Sequence, residues 1–551
     1  MRSGLCVSHD VADRGQFAET DDPSLAEDDP IQRDLGRSLI FLAAMTLITA
    51  YFSETFFHPD EHASVLAFLG HKLGWTTAPE LPWEYGAHIR SWMQPFFYYL
   101  IAKPLTLVGM TDPFDVTLVL RVATGVLSVA SLALFAVAVM RILPTRDARQ
   151  GYARSLLFYG FLPYLFVRTS SEAMSGALFT AALALLLDGA RRATARRLVV
   201  AGMLVGLAFE CRFQTALLTL GLYGWLAVVA RISWSRLAWL SSGSILPVLL
   251  AFPIDRWGYG AWYFPPFLYV RENLVNDTAA RVFGSDPVYG YLYLLPLNLF
   301  APIVLVLLVS LFVALARNPR HVITWTILPF ILVQSLVAHK EERFMFPLAA
   351  IATVLPILAF APAPGRRLLW FDRLWEYRGS IGAKAVAVMT LVAMAFIAVY
   401  PFGFRPNIPM ARYIYRHYPA GFKAYSFEAE PFPSYPNYRT RPYTVIKLID
   451  DAQIASALSS GPILLLTETP DLSDRPLPAS VRRQLLYSEL PFAQVPEVAH
   501  QAAIFERAYE AAKVGRMPFL PHLGWMTLYR LNRAPRASVR NEHVGAQAIA
   551  A

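Results

Sequence analysis

Apolar stretches close to bilayer length recur along this chain, at 38–56, 118–140, 152–168, 174–190, 198–211, 213–230, 237–254, 288–314, 322–338, 344–361 and 384–401. About 20 apolar residues in a helix cross the ~30 Å hydrocarbon layer. Backbone groups there find no water, so such segments are confined to helices that satisfy their own hydrogen bonds. With 55% hydrophobic and 16% charged residues, the chain also lacks the polar surface of ordinary soluble domains. These features predict a polytopic α-helical membrane protein.

The segment 92–109 decides the topology. It is apolar but carries Gln94, Pro95, Lys103 and Pro104. If it does not cross, the arginine-rich connections 141–154, 191–197, 231–236, 317–320 and 366–384 all fall on one side, which the positive-inside rule makes cytosolic. We therefore expect an interface helix there, about eleven spans within 38–401, a cytosolic N-terminus and an external C-terminal region. Residues 1–37 are polar and acid-rich without a signal peptide's apolar middle, and read as a disordered cytosolic tail. From 402 onward hydrophobicity falls. Strands at 461–468 and 525–532 and helices at 452–460 and 496–515 predict a small extracytoplasmic α/β domain over 402–551.

The net charge of +9 sits in short clusters between apolar runs, which argues against nucleic acid as a partner. Cys6 and Cys211 offer no disulfide framework and no cysteine-based metal or redox site. No inverted internal repeat is visible, which weighs against a carrier.

With this topology the unusual polar clusters gather on the external face. His339–Pro347, HKEERFMFP, packs five ionisable residues between two apolar runs. Intramembrane or junctional charge of that density is costly and points to function, whereas a helix end that merely snorkels needs one or two cations. His339, Lys340 and Arg343 suit a lipid phosphate, with Glu341 and Glu342 orienting them. In the first external loop, 57–117, stands His58-Pro59-Asp60-Glu61-His62. This cluster reads as a carboxylate base, as an acidic helix start after Pro59, or as a metal site from His58, Asp60 and His62. Trp83, Glu84 and Arg90 form either a sugar-binding shelf or an aromatic belt. Glu210 and Arg212 read as a local ion pair, or Arg212 as a phosphate ligand. Asp255 and Arg256 open a long polar loop whose glycines and Pro287 are turn signals.

HKEERF, together with HPDEH, LPWEYGAHIRSW, DRWGYGAW and GSDPVYGY in that order, resembles glycosyltransferase family 22. These are membrane mannosyltransferases of the GT-C class, including the GPI mannosyltransferases. The similarity covers roughly 38–361. It implies a GT-C fold and inverting transfer of a mannosyl or other hexosyl residue from a polyprenyl-phosphate donor to a hydroxyl of a lipid-linked or glycolipid acceptor. It makes Asp60 the base, with Glu61 as its neighbour or understudy, and His339, Lys340, Arg343 and Arg212 the phosphate ligands. Trp83, Glu84, Arg90, Asp255, Arg256, Glu341 and Glu342 then serve as support or substrate contacts. No cofactor and no metal are expected, so chelators should leave activity intact. The preference for Arg and Ala over Lys, and a C-terminus without an endoplasmic-reticulum retention signal, suggest a bacterial inner-membrane enzyme acting on the periplasmic side. The rival readings are a GT-C enzyme for another sugar, a glycan ligase, and a lipid or sugar transporter.

Overall fold

Long apolar runs became long helices. In this computed structural model, which describes residues 30–299, 301–361, 379–399, 407–427, 435–448, 450–473, 476–512 and 525–534, Pro30–Phe52, Pro113–Ile142 and Trp234–Tyr259 are each long and apolar enough to cross a membrane. At 1.5 Å per residue the second is about 45 Å long. Two more apolar segments are bent pairs, 302–317 with Val322–Leu336 at 120° and Glu342–Leu348 with 351–360 at 67°. The first helix begins at Pro30 rather than 38, because proline at a first helical position costs no hydrogen bond. Arg154 anchors that early turn through Asp34, 2.7 Å away. The remainder of the expected N-terminal tail, 1–29, lies outside the described residues, as does most of the basic stretch at 366–384.

Three expected spans are broken. The run 288–314 divides into the helices Tyr291–Asn298 and Ala301–Arg317. The run 152–168 becomes a helix ending at Ser155, a 3₁₀ turn and the short helix Leu162–Phe166, with Pro163 unable to continue the preceding helix. The run 344–361 starts as 3₁₀ turns and becomes α-helical only at Leu355, consistent with Pro347 and Pro356. Met93–Leu107 is a 15-residue helix, about 22 Å long and shorter than the hydrocarbon layer.

Small residues let helices meet closely. Ala195–Cys211 packs along Trp234–Tyr259, where a Cβ on Gly202 would lie 2.1 Å from the Leu240 carbonyl oxygen, and one on Gly243 would lie 2.2 Å from that of Val199. Close backbone approach of this kind is how apolar helices gain contact where lipid offers no hydrophobic drive.

The helix ends sort into two groups. At one end the basic connections touch each other: Arg141 and Arg197 share Asp188, Arg191 reaches the Ala230 carbonyl, Arg236 that of Ala193 and Arg317 that of Ala359. At the opposite ends of those helices stand Glu172, Glu210, Arg212 and Asp255.

The C-terminal region forms a five-stranded mixed sheet, with β1 (Phe422–Ser426), β2 (Tyr443–Lys447), β3 (Ile463–Thr467), β4 (Val481–Ser488) and β5 (Thr527–Arg533) in the order β2-β1-β3-β5-β4. β1 runs parallel to β2 and β3; β5 is antiparallel to β3 and β4. Helices Asp451–Ala457 and Pro496–Ala512 accompany it, so the strands and helices read from the sequence are present, save 513–515, which lie outside the described residues. This region packs on the first loop. Arg416 bonds Asp112 and Asp115 at 2.8 and 3.0 Å, Arg441 bonds Glu80 at 2.8 Å, and Arg412 pairs with Glu54.

Candidate active site

His58, in extended conformation, caps a helical turn that starts at Pro59, its Nδ1 accepting the Asp60 amide at 3.2 Å. That turn passes into a π-helical turn, His62–Leu66, before the α-helix Ala67–Leu73. Successive residues on a helical turn diverge by about 100°, so Asp60, Glu61 and His62 point three ways.

Asp60 faces Arg343. The guanidinium lies 2.7 Å from the Asp60 carboxylate and Arg90 is 3.5 Å away. Arg343 also pairs with Glu341 and stands 3.5 Å from Glu172. Arg90 in turn binds Glu84 at 2.6 Å, and Ser64 donates to the same carboxylate. Arg212 pairs with Glu172 at 3.2 Å, so the expected Glu210–Arg212 pair does not form. The two ring nitrogens of His339 face acceptors, Nε2 donating to the Glu341 carboxylate 2.9 Å away and Nδ1, when protonated, to the Gly284 carbonyl 3.1 Å away; His58 approaches Glu341 at 3.7 Å. Three guanidiniums, four carboxylates and two imidazoles therefore share one site. Burial opposes ionisation of Asp60, but Arg343 and then His58 outweigh it and hold its carboxyl well below the usual range. Glu341 is depressed in the same way, burial being overcome by Arg343, His58 and His339. Burial lowers His339, but its bond to Glu341 raises it above the ordinary imidazole value.

Glu61 is 2% exposed and points elsewhere. It accepts the amides of Thr169 at 2.7 Å and Phe57 at 3.2 Å, and the Thr169 hydroxyl at 3.1 Å, with Arg168 3.9 Å away. This ties the first loop to the start of helix Ser171–Leu187. Glu61→Ala would orphan two buried amides at about 1–3 kcal/mol each. We expect a clear fall in thermal stability, read by unfolding in detergent, and a smaller one for Glu61→Gln, which keeps an acceptor for Thr169 but sets an amide nitrogen against the Phe57 N–H.

His62 sits among Phe56, Tyr435 and Tyr438, with ring centroids 5.2–5.3 Å apart. Burial pushes its imidazole down to about 3, so it is a neutral member of an aromatic box. His58, Asp60 and His62 thus do not converge as metal ligands. Among the described residues no group of three His, Cys, Asp or Glu does.

Other expected residues are spread around this site. Lys340 is 2% exposed and turns to the Val337 and Asp286 carbonyls at 2.5 and 3.2 Å, bracing the polar loop rather than facing Arg343. Glu342 is fully buried. Asp255 accepts the Trp92 amide at 2.7 Å and positions the turn that carries Arg90. Gly258 allows the fully buried Trp92 ring to close on that helix, since a Cβ there would lie 2.1 Å from the indole. Arg256 is exposed and lies over Trp262, and Trp83 is 47% exposed; neither enters the cluster.

Glu172 was not singled out from the sequence as a site residue, although a glutamate opening an otherwise apolar helix was a signal. Beside the cluster a narrow cleft of about 370 Å³, including its open mouth, is lined by Arg90, Gln94, Glu210, Arg212, Gln214 and Tyr269 among others.

The Alg9-like mannosyltransferase family matches residues 38–415. GPI mannosyltransferase 3 of Yarrowia lipolytica is 29% identical over 343 residues, covering 60% of this chain and 64% of that protein. GPI alpha-1,2-mannosyltransferase 3 of Mus musculus is 26% identical over 328 residues, 57% of each. The chain thus spans less than two thirds of these curated relatives. Among solved structures, ArnT from Cupriavidus metallidurans bound to undecaprenyl phosphate aligns with a TM-score of 0.49 and 13% identity, over 89% of this chain and 97% of that one.

Proposed function

Because the chain belongs to the Alg9-like mannosyltransferase family, we propose that it is an inverting glycosyltransferase of the membrane. It moves a mannosyl residue from a polyprenyl phosphate to a hydroxyl of a lipid-linked or glycolipid acceptor, on the non-cytoplasmic face of a bacterial inner membrane.

The observation that carries this reading is the Asp60–Arg343 pair, which joins HPDEH to HKEERF across 283 positions. The pair brings the candidate base and a candidate cation for the phosphate to one site; inverting transfer needs them on opposite sides of the sugar, so a bound substrate would part them. The acceptor oxygen attacks the anomeric carbon opposite the phosphate; its proton passes to Asp60. As the bond from carbon to phosphate oxygen breaks, the lipid phosphate leaves with its charge met by Arg343, aided by Arg90 and Arg212. Glu341 and Glu172 hold Arg343, Glu172 holds Arg212 and Glu84 holds Arg90, and His339 acts on Arg343 through Glu341. Asp60 is ionised at neutral pH and its side chain is 28% exposed, so it is both charged and reachable. The gathering of arginine-rich connections at the end opposite this cluster supports placing the site outside the cytosol.

Purified protein in lipid nanodiscs, given labelled polyprenyl-phosphate mannose and a membrane glycolipid extract, should release polyprenyl phosphate and move the label to the acceptor. Intact donor after prolonged incubation with active extracts would sink the reading.

A further inference from the structure

We propose that the cleft beside the Asp60–Arg343 cluster seats the hexose ring of a substrate, held by Glu210, Gln94 and Gln214. The inference deepens the transfer reading above and rests on it. Buried polar atoms are nearly always paired, and leaving one bare costs about 1–3 kcal/mol. Yet both Glu210 oxygens, the Gln94 Oε1 and the Gln214 Oε1 are buried without a well-formed hydrogen-bond partner, and all three residues line this one cleft.

Their orientations are fixed from behind. The Gln94 amide nitrogen donates to the Thr169 and Ser170 carbonyls at 2.9 and 3.3 Å and to Tyr98 at 3.3 Å, and that of Gln214 donates to Tyr269. The oxygens are thereby turned away from those partners. No guanidinium or ammonium pairs with Glu210 among the described residues; its neighbours are Ser91 and Asp255, while Arg212 is taken by Glu172.

Four unpartnered oxygens in one place ask for a ligand rich in hydroxyl groups. Among the described residues, the buried donor left unpartnered on the same wall is the Arg90 Nε, which suits a hydroxyl oxygen. Phe213 and Tyr269, 5.5 Å apart and edge to face, add apolar surface for the C–H face of a ring. Few, convergent polar groups on a partly aromatic wall are the usual make-up of a small-molecule cleft. A hydrocarbon is excluded by the cost of covering those oxygens. A polyhydroxylated ring, which both donates and accepts, meets the need. Because Arg90 reaches both Glu84 and Asp60, the ring's seat adjoins the reacting cluster.

The ring belongs either to the donor or to the acceptor, and binding separates the two. Full-length protein is titrated with polyprenyl phosphate and with polyprenyl-phosphate mannose. Glu210→Gln, which keeps shape and replaces one oxygen by an amide nitrogen, is compared with the half-buried Gln214→Leu. If the ring is the donor's, wild type prefers the mannosylated lipid about tenfold, and both variants lose that preference while binding bare polyprenyl phosphate normally. If it is the acceptor's, donor binding is unchanged and the apparent KM for the glycolipid acceptor rises about tenfold in both. Unchanged lipid affinities and unchanged transfer in both variants would overturn the proposal. Wild type binding neither lipid would instead overturn the transfer reading, and this site with it.

Discussion

Replacing Asp60 by Asn should cut sugar transfer by about 10²–10⁴, the usual contribution of a positioned general base, while leaving the protein folded. The amide keeps the shape and one acceptor for Arg343, and Asp60 is the most exposed member of its cluster, so little packing is lost. Donor binding should survive, since the phosphate ligands remain, and the defect should fall on kcat. Glu61→Gln is the matched control. Its carboxylate is spent on Thr169 and Phe57, so its transfer rate should stay within a few-fold of wild type. Equal loss in both variants, measured as released polyprenyl phosphate, would remove Asp60 from its role.

The second large effect is expected at Arg343. Arg343→Gln removes a guanidinium shared by Asp60, Glu341 and Glu172, and removing one partner of a buried ion cluster costs about 3–5 kcal/mol. Donor affinity and turnover should both fall, with kcat/KM down roughly 10²–10³, as for other lost charge-stabilising groups. The pH dependence gives a sharper readout. In the intact site burial raises the Asp60 carboxyl, but Arg343 and His58 depress it well below its ordinary value. The ionised base therefore persists as pH falls. Without Arg343 the largest depressing charge is gone and burial prevails, so the acid limb of residual activity should move to higher pH. Arg343→Lys should restore part of that limb, having the charge, but less of the donor affinity, lacking the fork. An acid limb that stays in place would show that Arg343 does not act on Asp60.

Much of this was legible in residue types. The apolar periodicity marked the helices, and the surplus charge of HKEERF and HPDEH marked the segments that meet. What could not be read was direction. In HPDEH three adjacent ionisable side chains serve three purposes, because they diverge by about 100° per residue on the turn that starts at Pro59, and the letters do not say which way each one faces. In HKEERF the two cations look alike, but Lys340 is claimed by backbone carbonyls of its own loop while Arg343 crosses to Asp60. Ion-pair partners were equally hidden: Arg212 stands two positions from Glu210 and yet pairs with Glu172 on another helix, because the helix ends at Cys211 and Arg212 swings out in extended conformation. Gln94 counted only as a polar residue in an apolar segment, and Gln214 carried no signal of its own. Amides gain meaning only when tertiary neighbours fix which way they face.

The aromatic box around His62 bears on how separable the parts of this chain are. The family match stops at residue 415, but Tyr435, Asn437 and Tyr438 lie beyond it. Asn437 donates to the Leu66 carbonyl at 2.6 Å, Tyr435 and Tyr438 pack on His62, and Tyr438 donates to Thr117 of the long helix at 2.9 Å, so they hold the turn that directly follows Asp60 and Glu61. The shared, family-wide portion is therefore not a self-sufficient cassette here. A chimera that joined residues 38–415 to another member's tail would carry every residue of the charged cluster and still lack the grip that aims one of them.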